Sequence, residues 1–152
     1  MNLDEAMDKV AQFHRMIGEV VGETPIRLEC EPSQALKVAG ELRGIIMACS
    51  GRGSHLLSRV CLSLEETAEF LEAHAKGDIT AVADAVGDRL FVLLGDAIAC
   101  GLPLCEIFKA ICDSNLTKAM GKMDGRGKGI KGSDYRDPTD AIQSAIKLRR
   151  DD

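Results

Sequence analysis

The sequence predicts an all-α domain, and three features carry that expectation. Apolar residues recur at helical spacing along most of the chain. No segment alternates cleanly as a strand does, and there is no internal repeat. Aromatics make up only 3% of the residues, with no Trp and one Tyr, so the core is expected to be helical and built from Leu, Ile, Val, Ala and Met. At 152 residues, 45% hydrophobic and 28% charged, the chain is long enough for a sizeable core, and residues 1–152 are expected to form one domain.

The elements follow in order. Leu3, Met7, Val10, Phe13, Ile17 and Val21 mark an amphipathic helix over 3–21, with His14 and Arg15 near its apolar seam. Gly22 to Pro32 holds two prolines and reads as a loop. Ser33 is a candidate cap for a helix from Gln34 to about Cys49. Ser50-Gly51-Arg52-Gly53-Ser54 breaks it; this stretch lacks phosphate-loop spacing and reads as a turn. A helix from about His55 to Ala75 follows, with Leu57, Val60, Leu64, Ala68 and Leu71 as its apolar stripe. Gly77 suits its C-terminal end and Asp78 the N-cap of the next helix, Ile79 to about Cys100. Ile79, Val82, Val86, Leu90 and Leu93 form an apolar face there. The opposite side is also apolar after Asp88, so this helix is expected to be central and buried. Gly101 stops it, and Pro103 is expected at N1 of a helix carrying Leu104, Phe108, Ile111 and, a turn later, Asn115, with Lys118 three residues on. From Gly121 the chain turns glycine-rich and basic, as a flexible linker or lid would. A short helix, Ala141 to Leu148, closes the chain.

The turn at Gly77 and Asp78 folds two helices back as antiparallel neighbours. Glu65, Glu66, Glu69 and Glu72 lie on the first, Asp84 and Asp88 on the second. Counted outward from the turn, Glu69 falls near Asp84 and Glu66 near Asp88. Buried charges are tolerated when they are paired or hold a metal. An all-oxygen set suits a hard cation, Mg²⁺ or Mn²⁺. For Glu65 and Glu72 a solvated helix face is the simpler reading.

Composition excludes several classes. A net charge of −5 and scarce aromatics argue against nucleic-acid binding. The six cysteines make no CxxC pair and read as small core residues in a reducing cytoplasm. The opening MNLDEAMDKV is unlike a signal peptide, and no apolar run has the length of a membrane span, so a soluble cytoplasmic protein is expected.

Taken in order, Phe13-His14-Arg15, Arg59, Glu65-Glu66-x-x-Glu69, Asp88, Ser114-Asn115-Leu116-Thr117-Lys118, Lys131-Gly132-Ser133-Asp134-Tyr135 and Pro138 resemble the MazG-type all-α nucleoside triphosphate pyrophosphohydrolases. The branch containing dimeric all-α dUTPases and phosphoribosyl-ATP pyrophosphohydrolase is the nearest. The resemblance covers about 10–22 and 56–140 and leaves 29–53 as an extra helix on a four-helix-bundle-type domain. The family motif is EExxE followed by ExxD. Ala85 stands where its second Glu is expected, and Asp84 is the candidate replacement.

The resemblance implies cleavage of a nucleoside triphosphate, dUTP for example, between the α and β phosphates, to the monophosphate and pyrophosphate. It implies Mg²⁺, with Mn²⁺ as the other candidate, on Glu66, Glu69, Asp84 and Asp88, with Glu65 or Glu69 accepting the proton. Asn115 and Lys118 inherit contacts to the nucleotide and its phosphates. Lys131 and Tyr135 belong to a segment expected to close over the ligand. A homodimer, or a dimer of dimers, is expected, since short helices with two apolar sides leave surface to cover. The competing class is a non-catalytic nucleotide-binding or sensing module with the same pocket, for which the missing Glu at Ala85 speaks. A di-iron bundle needs Glu-x-x-His pairs, and Glu72 and His74 are spaced wrongly for one.

Overall fold

The computed structural model describes residues 1–49 and 53–151, which fold into six helices and no named strand. They group into two compact units, Thr24–Cys100 and Met1–Glu23 with Gly101–Asp152.

The first of these units is three helices. α2 runs Pro32–Cys49. Its start differs from expectation: Glu31, not Ser33, does the capping. The Glu31 carboxylate accepts from the Ser33 amide and hydroxyl, and Pro32 occupies the first helical position, where its missing N–H costs nothing. Of the expected turn over 50–54, residues 50–52 lie outside the described residues. Ser54 then caps α3, His55–Lys76, by accepting from the Leu57 amide. Gly77 ends α3 with φ of 73°, a conformation that favours a residue without a Cβ. Asp78 accepts from the amides of Thr80 and Ala81 and starts α4, Ile79–Ala99. The expected hairpin is therefore present, closed by the two residues that predict it.

α2 and α4 both pack on α3. The covered positions are mostly small: Ala35 and Ala39 on α2, Ala68 and Ala73 on α3, and Val82, Ala85, Val92 and Ala97 on α4. Small residues at a seam let helix axes approach closely. The expectation of a buried α4 is corrected within this chain. Val86 and Leu93, from the expected core face, are 50% and 54% exposed, and Phe91 and Ile98 on the other side are 77% and 80% exposed. Packing against α3 covers one stripe of α4, and its remaining apolar sides stay open.

The other unit contains α1, Leu3–Ile17, α5, Leu104–Asn115, and α6, Thr139–Asp151. Asn2 and Glu5 form a capping box at the start of α1. The helix ends a turn before the expected Val21, because Gly18 takes φ of 82° and His14 Nδ1 meets the Val20 carbonyl at 3.1 Å. α5 packs against α1 and α6, and Asp113 accepts from Lys9 and Lys109. Pro103 is the N-cap of α5 and not its first residue, and the helix stops before Lys118. Composition leads one to expect flexibility after Gly121, yet local bonds give that stretch a defined path. Asp124 Oδ1 accepts from the amides of Arg126 and Lys128, and Met123 and Gly129 form an isolated bridge. All six cysteines are free, and Cys112 alone is buried, which corrects the expectation of a cysteine-containing core.

Candidate functional site

Among the acids of α3, Glu66 is the one with a buried, unpartnered oxygen. Its Oε2 is buried and finds no hydrogen-bond partner among the described residues. Burial pushes its carboxyl above the ordinary range, and the negative charges of Glu69, Asp88, Glu65 and Asp84 push the same way. The other four carboxylates that the sequence nominates as site residues therefore bear on Glu66 from both helices of the α3–α4 hairpin. Glu69, Asp84 and Asp88 are exposed and Glu65 is half-buried. Among the described residues no three His, Cys, Asp or Glu side chains already stand as a metal cage. An unpartnered carboxylate oxygen amid like charges is nonetheless the environment that a hard divalent cation relieves. Ala85 is 3% exposed, so the position lacking the family carboxylate is in the packed seam of α4 and not at its rim.

Two arginines hold the helices around this cluster. Arg59 lies on α3, two turns ahead of Glu66. Its Nε donates to Asp96 Oδ1 at 2.7 Å and its Nη2 to the Val92 carbonyl at 2.6 Å. Gly95 makes room for this clamp, since a Cβ there would sit 2.5 Å from Arg59 Nη2. The clamp fixes the level of α4 against α3, and so the level of Asp88 against Glu66. Arg43 of α2 grips Glu72, with Nε to Oε1 at 2.8 Å and Nη2 to Oε2 at 3.1 Å. That holds the Glu72 carboxyl below the ordinary range, and Glu72 is engaged in the ion pair, not left as a solvated acid. Away from the carboxylates, Ser63, Thr67, Val86, Arg89, Leu90 and Leu93 line an open groove of about 340 Å³.

The other nominated residues lie in the α1–α5–α6 unit. Asn115 ends α5 and its carbonyl accepts from the Lys118 amide. The Lys118 ammonium stands over the Phe13 ring at 5.4 Å. Lys131 stands over the Tyr135 ring at 4.3 Å. The Ser114 hydroxyl beside Tyr135, and to a lesser degree Lys131, draw that phenol below its ordinary range. His14 is engaged with backbone at the end of α1.

Residues 52–115 match the family model for phosphoribosyl-ATP pyrophosphohydrolase. This stretch is MazG-like. The match takes in α3, α4 and α5, with Glu65, Glu66, Glu69, Asp84 and Asp88, and ends at Asn115. It excludes α1, α2 and everything from Leu116 onward. No curated protein and no solved structure matches the chain. The all-α fold and the match of this stretch to a pyrophosphohydrolase family agree with the resemblance read from EExxE and Asp88. No single helix among the described residues is long and apolar enough to cross a membrane.

Sequence reasoning passed over Asp96 and Arg43. Both carried a signal. Asp96 is the one charge between Arg89 and the end of an otherwise apolar helix, and such a charge needs a partner. Arg43 interrupts the run from Leu42 to Ile46 on the helix that the resemblance leaves unexplained.

Proposed function

We propose that the protein is a Mg²⁺-dependent nucleoside triphosphate pyrophosphohydrolase, with Mn²⁺ as an accepted substitute. It converts a (deoxy)nucleoside triphosphate such as dUTP and water to the monophosphate and pyrophosphate by breaking the bond between the α and β phosphates. One observation carries the reading: a buried, unpartnered Glu66 oxygen surrounded by carboxylates inside the stretch that matches a pyrophosphohydrolase family.

In this reading Glu66, Glu69, Asp84 and Asp88 hold the cation. When bound, the cation neutralises phosphate charge and makes a nearby water easier to deprotonate. Glu65 or Glu69 accepts the proton of the attacking water. Asn115, Lys118, Lys131 and Tyr135 bind the substrate, with Lys118 balancing charge on the phosphate chain. A homodimer or a dimer of dimers covers the open apolar sides of α4. Six free cysteines suit a reducing cytoplasm.

The test is pyrophosphate release from a panel of ribo- and deoxyribonucleoside triphosphates with Mg²⁺, using the wild type and Glu69→Gln. Metal-dependent release by the wild type, abolished in Glu69→Gln while helical circular dichroism is unchanged, is the expected outcome. Near-full activity of Glu69→Gln refutes the assignment. Ala85 favours a second reading, a nucleotide-binding or sensing module without turnover. Tight triphosphate binding with no pyrophosphate release would select it.

A further inference from the structure

Arg43 belongs to α2, the helix outside the family match, yet it pairs with Glu72 on the helix that carries Glu65, Glu66 and Glu69. Its partner Glu72 shares a helix flank with two members of the carboxylate cluster. At about 100° per residue, Glu65 and Glu72 point within roughly 20° of each other and Glu69 lies about 40° from Glu65. The negative charges of Glu69 and Glu65 reach the guanidinium as well as that of Glu72. The pairing uses one edge of the fork, Nε and Nη2. Among the described residues nothing bonds to the other edge, Nη1 with the second Nη2 hydrogen. The Arg43 side chain is 41% exposed and that of Glu72 24%, so the arginine is the more solvent-accessible partner of the pair.

We propose that Arg43 is a phosphate-binding residue: anchored edge-on by Glu72, it presents its free Nη1/Nη2 edge to the terminal phosphates of a triphosphate held at the carboxylate cluster. The inference rests on the pyrophosphohydrolase reading above and adds a contact from α2. The physical need is plain. A flank of three glutamates repels a polyphosphate, and a guanidinium offers two parallel donors matched to two phosphate oxygens. A lysine would supply the charge without the fork.

A purely structural ion pair makes a different prediction, and two substitutions separate them. Arg43→Ala and Glu72→Gln both break the bidentate pair, so a structural role moves both variants the same way. A phosphate contact moves them apart, because one variant loses a positive charge and the other a negative one. The measurements are calorimetric binding of tripolyphosphate with Mg²⁺ to the full chain, the KM and kcat for the best triphosphate of the panel, and the melting temperature. In the expected result Arg43→Ala weakens tripolyphosphate binding and raises KM by about tenfold, as loss of a charged bidentate contact should. Arg43→Lys falls between it and the wild type. Glu72→Gln tightens binding or leaves it no weaker, although both variants melt lower. Equal weakening in Arg43→Ala and Glu72→Gln overturns the proposal, as does unchanged binding in Arg43→Ala. A wild type that binds tripolyphosphate and releases pyrophosphate keeps the functional reading in either case. A wild type that does neither removes both.

Discussion

Glu66→Gln is the perturbation that most directly tests how the carboxylate cluster works. In the metal-free protein Glu66 carries a buried oxygen with no partner and feels four neighbouring negative charges. A buried unsatisfied polar group costs about 1–3 kcal/mol. The amide is uncharged, keeps the shape, and can donate to the carboxylates that repelled the acid. The variant should therefore be more stable than the wild type without metal, by about 1 kcal/mol, which for a chain of this size raises the melting temperature by about 2–4 °C. Mg²⁺ should reverse the order. A cation bound only by the folded wild type at a hundredfold excess over its Kd adds about 2.7 kcal/mol, while the amide is a poor ligand and gains little. The assay is thermal unfolding of both proteins with EDTA and with saturating Mg²⁺, and the signature is a crossing of the two stabilities. If Glu66→Gln destabilises the metal-free protein, or if its Mg²⁺ shift equals that of the wild type, the argument from the orphan oxygen is wrong.

Gly95→Ala forces the Arg59 guanidinium off Asp96 and the Val92 carbonyl, so urea unfolding should show a net loss of about 1 kcal/mol. In an Arg59→Ala background the same change should turn neutral or stabilising, because Ala is the better helix former by about 1 kcal/mol; a cost unchanged between backgrounds would refute the clamp. Glu72 has a carboxyl pK lowered by Arg43, so the pair's contribution is present above the ordinary carboxylate range and lost as pH falls through the lowered value. The stability gap between wild type and Arg43→Ala, at most about 1 kcal/mol for a partly exposed pair, should narrow as pH falls below the ordinary carboxylate range in a urea series; a gap that does not narrow contradicts the assignment. Asp124→Ala should speed hydrogen exchange of the Arg126 and Lys128 amides, which bond to its carboxylate, and leave the amides of α5 protected. Equal exchange in both proteins would mean that the turn is held by something else.

Much of this molecule is determined by residues close together in sequence. Gly77 and Asp78 fix the α3–α4 turn by local chemistry alone, a left-handed backbone and a side-chain cap. The 3.6-residue period puts Glu65, Glu69 and Glu72 on one flank wherever that helix packs. The spacing EExxE with Asp88 also carries the resemblance that the family match bears out. Capping is less secure when two polar residues lie within two positions of each other, as the exchange of Ser33 for Glu31 illustrates.

Tertiary structure decided the rest. Period and composition say that α4 is apolar on several sides, but not that only the stripe through Val82, Ala85, Val92 and Ala97 meets α3. They nominate four glutamates on α3, but not that Glu66 loses its water while Glu69 keeps it. Nor do they pair Arg43 with Glu72 across 29 residues, or Arg59 with Asp96 across 37. A cap or a helical period arises within one turn of chain, whereas burial and ion pairing depend on which distant surfaces meet and at what level.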